Sequence, residues 1–437
     1  MIETLHIAAA LAAILSFHVA FRWEKAGGLI VVYMACLFFL TGVPDPLRAG
    51  TLGMAIGLGT VPFQMWFMLR FLGGKALGLW LYMSSLPAIF LLLSSYLRGS
   101  HELMVLAVPF VWSIIEVGRS ECGRLRYSWL IPAHALSARP WIKLLGAGVY
   151  GFSFLVMAAL ALCAVLPAYL WPVVVGAALG ALIVRQSPFW THKHLQVAGF
   201  QIEAGVDGGT GLRFAGYDEI LRQLHRCLHR HPNAELVVAP EYALPDQPEA
   251  MLLAWCRKFG KWLLIGGREH LDDDGGFRNT AYLVSPLGEV FRQGKMVPIP
   301  TAPDGLPATE QKPLRNSLGT LGICICYDLS FASVVAPLVE SGVQALVVPS
   351  MDLAEWGPHE HRLHEKWARI MSYVYSLSVF RVVSSGQCQL VDCGDVLAVS
   401  QDGTIGDNLP MHLGEVPTDW RILRHLLPPL VRAPSEE

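Results

Sequence analysis

The sequence predicts a polytopic α-helical membrane bundle followed by an α/β domain. The 437 residues are 53% hydrophobic and only 16% charged, whereas a soluble domain typically has about 25% charged residues. The deficit lies in the first part of the chain, and charges occur at ordinary density from Arg185 onward. We therefore expect a membrane domain of about seven transmembrane helices over residues 1–185, a globular domain over 192–425, and a loose tail over 426–437.

Seven apolar stretches support the predicted membrane domain, because a helix needs about 20 mainly apolar residues to cross a bilayer. They cover residues 5–21, 27–43, 52–68, 77–96, 102–116, 144–166 and 169–184. The first is not expected to be a cleavable signal peptide, since Arg22 and Lys25 follow it and no basic residues precede it.

The distribution of charge gives an orientation and excludes one class of partner. Basic residues concentrate in alternate loops, around Arg22, around Arg70 and between residues 119 and 143. Taken literally, this pattern places those loops, and with seven spans the second domain, in the cytoplasm. A net charge of −2 gives no indication of nucleic-acid binding. The nine cysteines lack paired CxxC motifs and predict neither a disulfide framework nor a zinc site, and we expect no cofactor.

After Arg185 the pattern is that of alternating strands and helices. Short apolar runs predict strands at 195–202, 236–240, 262–266, 280–285, 320–326 and 345–348, and a closing hairpin at 382–400. Amphipathic segments predict helices at 217–231, 248–259, 331–340 and 359–377. Strands that alternate with helices indicate a sheet covered by helices.

Cys326 is the candidate nucleophile of this domain. It ends the apolar run 320–326, which is followed by a sudden change to Tyr327 and Asp328. A sharp turn from strand to helix can present a thiol in a cleft, beside backbone N–H groups. The alternative is that Cys326 is a small buried hydrophobic residue, as most free cysteines are. A reactive cysteine also needs a base and an oxyanion partner from elsewhere in the chain.

Two further strand ends deliver an ionisable residue. Glu241 follows the apolar run 236–240, and a carboxylate half-buried there can have the raised pKa that a general base needs. Lys295 precedes Met296 and Val297, and beside a thiolate it would lower the thiol pKa and stabilise an oxyanion. In isolation Lys295 could equally be an ordinary residue at the edge of a sheet.

Other candidates are expected to be structural. Cys324 shares the side of the strand that carries Cys326 and is assigned to core packing. Trp356 follows a strand that should border the site, where it could line an acyl pocket or simply pack. Two histidine-containing sets have spacings that could suit a metal, but both fall on predicted amphipathic helices and are assigned to solvated faces: His225, His229 and His231, and His359, Glu360, His361 and His364.

Taken together, three motifs carry a resemblance to a known superfamily. Glu241 in APEYALP, Lys295 in GKMVP and Cys326 in GICICYDLSF resemble, in order and local context, the Glu-Lys-Cys triad of the nitrilase or carbon-nitrogen hydrolase superfamily. Residues 108–119 and 148–155 look like the membrane part of the apolipoprotein N-acyltransferase family. The resemblance covers most of the chain, and implies a nitrilase-like αββα sandwich after the membrane bundle.

The resemblance also implies an activity. That family transfers a fatty acyl chain from a phospholipid, through a cysteine thioester, to the N-terminal amine of a diacylglyceryl-cysteine lipoprotein. Its members lie in the bacterial inner membrane with the catalytic domain on the periplasmic face, whereas the distribution of basic residues among the loops favours the cytoplasm. The implied roles are Glu241 as base, and Lys295 with the backbone N–H of Tyr327 as oxyanion donors. The alternatives are a membrane-tethered amidase or nitrilase, and a catalytically silent scaffold.

The sequence departs from the family pattern at several positions. Asp328 stands where the family usually has glutamate after the Cys-Tyr pair, and Phe214 stands where it usually has a tryptophan; both are assigned with Trp356 to the substrate site. The glutamate-containing segment that usually follows the catalytic lysine is missing, and Asp304 is the substitute candidate. The family's final transmembrane helix is also absent, since residues 420–431 are too short and contain two prolines.

Overall fold

The structure is a computed structural model that describes residues 2–123, 125–183, 193–203, 206–207, 211–212, 214–271, 276–300 and 302–426. The chain divides into two compact units, one formed by residues 1–185 with 417–422 and the other by residues 186–416 with 423–437. The predicted boundary at residue 185 and the predicted start of the second domain at residue 192 lie outside the described residues, as does the predicted tail 426–437 after its first residue.

The first unit consists of helices joined by turns and loops over its described residues. Its α-helices are α1 (Ile2–Arg22), α2 (Ile30–Leu40), α3 (Pro46–Gln64), α4 (Met68–Leu72), α5 (Lys75–Ser100), α6 (Val108–Glu121), α7 (Val149–Val165) and α8 (Trp171–Ile183), and a short helix, α13 (Thr418–Leu423), joins them from the far end of the chain. Asp419 of α13 accepts hydrogen bonds from the backbone N–H groups of Tyr150 and Gly151 in the first turn of α7, where unpaired donors favour an anionic cap.

Within the described residues, three stretches are long and apolar enough to cross a membrane: Glu3–Arg22, Lys75–Ser100 and Leu103–Glu121. Val149–Val165 and Ala168–Ile183 are apolar but shorter. Of the seven membrane-spanning helices expected, three are therefore supported at full length. Helix α2 has only 11 residues.

Helix α3 approaches α5 closely through its glycines. A Cβ at Gly53 or Gly57 would lie 2.4 Å or 2.3 Å from a backbone oxygen of α5.

The second unit contains two six-stranded sheets among its described residues. The first has the strand order β14 (Thr404–Met411), β1 (Lys193–Phe200), β4 (Leu236–Val238), β5 (Trp262–His270), β6 (Phe277–Val284), β7 (Val290–Gly294). The second has the order β13 (Asp395–Val399), β12 (Gln389–Asp392), β11 (Ser378–Val383), β10 (Ala345–Ser350), β9 (Gly319–Ile323), β8 (Leu314–Asn316). A two-residue pair, β2 (Val206–Asp207) and β3 (Gly211–Leu212), stands apart.

Helices cover the two sheets. One core cluster joins residues of both sheets, including Val238 of β4, Ile323 of β9 and Val347 of β10. A second cluster joins the first sheet to α9 (Tyr217–Arg230) and α10 (Ala250–Phe259). On the other sheet, α12 (Pro358–Val374) packs against β11 and β12, and α11 (Ala332–Glu340) follows the turn after β9. The prediction of two sheets enclosed by helices is confirmed.

The strand that was expected to end at Cys326 is shorter than predicted. β9 ends at Ile323, and Cys326 begins a 3-10 turn, Cys326–Ser330, with φ +52°. A positive φ is incompatible with strand geometry for a residue with a side chain, so the ladder ends before the cysteine. The strands β4 and β5, and β9, β10 and β11, are parallel within their sheets, and the ends of such strands are where sites gather.

Candidate active site

Glu241, Lys295 and Cys326 meet at the ends of three strands. Glu241 follows β4, Lys295 follows β7 directly, and Cys326 follows β9. The Lys295 Nζ donates to Glu241 Oε1 at 2.8 Å, and the Cys326 thiol is close enough for the charges of Glu241 and Lys295 to act on its pKa. The structure therefore brings together the three side chains that the sequence motifs single out.

The carboxylate of Glu241 is fully buried, not half-buried as expected, with 3% exposure. Asn279 Nδ2 donates to Oε1 at 2.6 Å, and the backbone N–H of Met351 donates to Oε2 at 2.9 Å. With Lys295, these donors fix the direction of the carboxylate. A carboxylate oxygen can accept two hydrogen bonds, so Oε2 keeps the capacity to take a further proton.

The position of Glu241 depends on a close approach between two backbones. Tyr242, the next residue, has φ +54°, and the loop passes directly over Gly266 of β5. A Cβ at Gly266 would lie 2.6 Å from the Cα of Glu241 and 2.8 Å from the backbone N of Tyr242. Only glycine allows the loop to pass this close.

Asp304 is the second carboxylate of the site. Lys295 Nζ lies 2.7 Å from its Oδ2, and its Oδ1 accepts from Tyr242 Oη and from Asn279 Nδ2, each at 2.8 Å. Burial alone lowers the pKa of Lys295, but the charges of Asp304 and Glu241 outweigh burial and hold this pKa well above its usual range. Lys295 is therefore a fixed ammonium between two carboxylates. Asp304, named from the sequence only as a substitute candidate, occupies a defined place in the site.

The Cys326 thiol is held neutral in this structure. The residue is 4% exposed. Burial raises the pKa of the thiol well above its ordinary value, and the negative charges of Glu241 and Asp352 raise it further, while Lys295 lowers it. The expectation that Lys295 lowers the thiol pKa is right for that pair and wrong for the net shift, because burial and two carboxylates outweigh one ammonium. The thiol must therefore lose its proton to a neighbouring base as it attacks.

Asp328 braces the turn that carries Cys326. Its carboxylate accepts hydrogen bonds from the backbone N–H groups of Met296 at 3.1 Å, Val297 at 2.8 Å and Ile325 at 3.2 Å. Burial raises its pKa to about 6 despite these donors. Because its oxygens accept from these backbone groups, Asp328 ties the cysteine turn to the chain after Lys295.

The other residues assigned from the sequence lie near the strand ends with distinct contacts. Tyr327 is buried and stacks edge to face on Phe331, with ring centroids 4.8 Å apart. The guanidinium of Arg268 lies over the half-buried Phe214 ring, 4.8 Å from its centroid. Trp356 is buried in a short turn, Ala354–Trp356. Their roles toward a substrate stay predictions. Cys324 is fully buried, as expected for a packing residue.

One of the two histidine sets was misassigned. His225 and His229 are exposed, as expected for a solvated face of α9. Glu360 and His364 of α12 are instead buried, at 4% and 3% exposure. His364 Nε2 lies 4.0 Å from Cys326 Sγ, and its Nδ1 lies 2.7 Å from Asp352 Oδ1. The i,i+4 spacing of Glu360 and His364 showed that they share a helix face, but not that this face points inward.

Two groups within the described residues have ligand atoms close enough to hold a metal: Asp352, Glu360 and His364, and Asp392, Cys393 and His412. In the first, Arg381 forms an ion pair with Asp352, and a fixed guanidinium opposes a bound cation. In the second, His412 and Ser378 already hydrogen-bond to Asp392 at 2.8 Å each. We assign a metal to neither group.

Comparisons with known proteins found one matching family profile and several similar solved structures. The carbon-nitrogen hydrolase family profile matches residues 215–379. Similar solved structures include Nit3 of Saccharomyces cerevisiae, a member of branch 10 of the nitrilase superfamily, with 19% identity, TM-score 0.42, and coverage of 56% of this chain and 97% of that chain. A carbon-nitrogen hydrolase from Helicobacter pylori G27 has 17% identity, TM-score 0.41, and coverage of 54% and 94%.

An amidase from Nesterenkonia sp. is similar at 18% identity and TM-score 0.41, with coverage of 55% of this chain and 98% of that chain. No curated protein matches the chain. The segment matched by the family profile contains Glu241, Lys295 and Cys326. The chain therefore contains a carbon-nitrogen hydrolase domain over residues 215–379.

Proposed function

We propose that this protein is an N-acyltransferase that moves a fatty acyl chain from a phospholipid to the N-terminal amine of a diacylglyceryl-cysteine lipoprotein. The observation that carries the proposal is a buried Glu-Lys-Cys site in the same chain as helices long and apolar enough to cross a membrane. The likeness of residues 108–119 and 148–155 to apolipoprotein N-acyltransferases supports it.

In the first half-reaction, Cys326 attacks the ester carbonyl of the phospholipid. Glu241 takes the thiol proton as the S–C bond forms, and the carbonyl electron pair moves onto oxygen. Lys295 and the backbone N–H of Tyr327 stabilise this oxyanion. When the intermediate collapses, the C–O bond to the glycerol breaks, the leaving oxygen takes the proton from Glu241, and a lysophospholipid departs from the Cys326 thioester.

In the second half-reaction, the lipoprotein amine attacks the thioester carbonyl. Glu241 removes a proton from the amine, an amide forms, and the Cys326 sulfur leaves and recovers a proton from Glu241. Since the first product leaves before the second substrate reacts, the kinetics are ping-pong. Both substrates carry acyl chains, and this requirement gives a physical reason for joining the domain to apolar helices.

Substrate entry requires movement around the site. Cys326 is 4% exposed and Trp356 is 6% exposed, so a lipid ester reaches the sulfur only when covering residues shift. A closed site excludes water, which favours transfer to an amine over hydrolysis of the thioester.

The second candidate is a membrane-tethered amidase or nitrilase that hydrolyses a C–N bond. It is favoured by the match of residues 215–379 to the carbon-nitrogen hydrolase family. The same three residues would act, with water in place of the lipoprotein amine in the second half-reaction. The two candidates therefore differ in the acceptor and not in the nucleophile.

One experiment separates them. Purified full-length protein is incubated with phospholipid and a synthetic diacylated lipopeptide, and products are identified by mass spectrometry. We expect a triacylated lipopeptide, lost in Cys326→Ala and nearly lost in Cys326→Ser, and an acyl adduct on Cys326 when the lipopeptide is omitted. Undiminished transfer by Cys326→Ala refutes the mechanism, whereas release of free fatty acid or ammonia without triacylated product favours the hydrolase.

We further propose that the protein lies in the bacterial inner membrane with its catalytic domain in the periplasm. The support is the family likeness, since lipoprotein acceptors of that family are modified there. The basic loops around Arg22 and Arg70 favour the opposite orientation, and Arg126 and Arg139, in the loop after α6, could instead contact lipid headgroups.

A further inference from the structure

A second set of polar side chains lies beside Cys326, and its nearest member, His364, is on α12. His364 Nε2 lies 4.0 Å from the Cys326 sulfur, and its Nδ1 lies 2.7 Å from Asp352 Oδ1. Asp352 follows β10, and its other carboxylate oxygen pairs with Arg381 of β11. All four residues are buried, with exposures of 1–4%. The sulfur therefore has a histidine–carboxylate pair beside it, separate from Glu241 and Lys295.

The partners of Asp352 fix the tautomer of His364. Burial works to raise the pKa of Asp352, but Arg381 and His364 hold this pKa well below its usual range. Asp352 is then a carboxylate, which can only accept hydrogen bonds. His364 Nδ1 must carry the hydrogen that lies between them, and in a neutral imidazole the lone pair is left on Nε2. That lone pair is on the ring nitrogen nearest the Cys326 sulfur.

Both carboxylate oxygens of Glu241 already accept hydrogen bonds. Its Oε1 accepts from Lys295 and Asn279, and its Oε2 accepts from the backbone N–H of Met351. The Glu241 carboxylate therefore has three fixed donors, one of them the Lys295 ammonium. His364 Nε2 approaches the same thiol from α12.

We propose that His364, oriented by Asp352 and Arg381, is a second proton acceptor for the Cys326 thiol. The S–H proton passes to Nε2, the electron pair stays on sulfur, and an imidazolium–thiolate pair results. When the sulfur attacks a carbonyl and the intermediate collapses, Nε2 returns the proton to the departing oxygen or nitrogen. This inference rests on Cys326 being the nucleophile, as in the proposed function, and not on the identity of the acyl donor.

The ionisable groups around this pair define its pH dependence. His364 faces Asp352 from the segment after β10, Glu360 at 4.0 Å on its own helix, and Cys326. Burial and then the charge of Asp352 raise the pKa of Glu360 well above its usual range, which favours its neutral form. Glu241 and Lys295 act on the sulfur from the other sheet, and His361 acts on Asp352 from one turn earlier in α12.

The test measures the reactivity of the sulfur without any acyl substrate. Full-length protein in detergent is treated with iodoacetamide between pH 5.5 and 9.5, and alkylation of the Cys326 peptide is quantified by mass spectrometry, which separates it from the other eight cysteines. The variants are His364→Gln, Glu241→Gln and their combination. His229→Gln is the control, because His229 is an exposed residue of α9.

In His364→Gln we expect the pH profile of alkylation to move upward by about one pH unit or more, which corresponds to about a tenfold lower thiolate fraction at neutral pH. Glu241→Gln should keep measurable alkylation that depends on pH, and the double variant should lose it. The His229→Gln profile should coincide with that of the unmodified protein. A purely packing role for His364 would change thermal stability without moving the inflection.

Two results would overturn the inference: a His364→Gln profile identical to that of the unmodified protein, or complete loss of alkylation in Glu241→Gln alone. The second result needs no histidine variant and so stands even if His364→Gln fails to fold. Because the reagent is iodoacetamide and not an acyl donor, the alkylation result can be interpreted even if the protein transfers no lipid. Absence of alkylation at Cys326 in the unmodified protein would overturn both this inference and the proposed nucleophile.

Discussion

Replacing Gly266 by alanine tests whether the placement of Glu241 controls the reactivity of Cys326. The added Cβ would lie 2.6 Å from the Cα of Glu241, whereas ordinary van der Waals contact begins at 3.4 Å. The two backbones must separate by about 0.8 Å, and neither is the end of a flexible side chain. A misplacement of about 1 Å in a catalytic group can cost about 10²-fold in rate. We expect acylation of Cys326 to fall by about that factor.

The assay is the pre-steady-state release of p-nitrophenol from p-nitrophenyl acetate, which reports acylation of Cys326 whatever the natural donor is. Glu241→Gln supplies the reference for loss of the carboxylate at the same position. Gly216→Ala is the matched control, since it lies in the same unit with a negative φ and no heavy atom within 4 Å of the added Cβ. Overpacking at Gly266 also costs about 1–3 kcal/mol, so folding is checked by circular dichroism.

The reasoning would be wrong if folded Gly266→Ala released p-nitrophenol at the rate of Gly216→Ala. Such a result would mean that the loop carrying Glu241 accommodates the methyl group without moving the carboxylate. It would also mean that the close approach to β5 is a packing feature without consequence for the chemistry.

Three further outcomes follow from the structure. Lys295→Met leaves the Glu241 and Asp304 carboxylates buried without their ammonium, so thermal unfolding should show a loss of about 3–5 kcal/mol, partly recovered when Asp304→Asn is added. Because burial raises the pKa of Asp328 to about 6, the folded state binds the proton more tightly than the unfolded state. Its contribution to stability should therefore fall as pH rises from about 4 to about 6, and a stability difference from Asp328→Asn that does not change over this range would contradict the shift. Alkaline phosphatase fused after Glu437 should be active, as expected for a periplasmic domain; activity only of a cytoplasmic reporter would reverse the orientation.

The candidate nucleophile Cys326 and its two proposed partners could be identified from sequence because each stands in a short motif that resembles the nitrilase triad. Glu241 and Cys326 also stand at the ends of the predicted strands 236–240 and 320–326, and the ends of strands in one sheet sandwich lie close together. The division at residue 185 was equally accessible, since lipid and water select opposite compositions. The pattern of neighbouring residues along the chain was sufficient to identify the three candidate residues and the division at residue 185.

The electrostatics of the site could not be found in this way. His364 looked like one of several histidines on a polar helix, and its contact with the sulfur depends on how α12 packs on β11 and β12. Asp304 follows Lys295 by nine residues, but its pairing with the ammonium arises from the return of the chain. Burial and charge together also reversed the expected net shift of the thiol pKa.

The sequence by itself determined where charge-poor and charge-rich parts of the chain lie, which runs are predicted to form strands, and which three residues are the candidates for the chemistry. Only the tertiary structure decided that two carboxylates share one ammonium and that a histidine–aspartate pair faces the sulfur. The physical reason is that hydrophobic periodicity is a property of neighbours along the chain. Desolvation and charge pairing depend on groups that are distant in sequence and meet only when the two sheets and their helices pack.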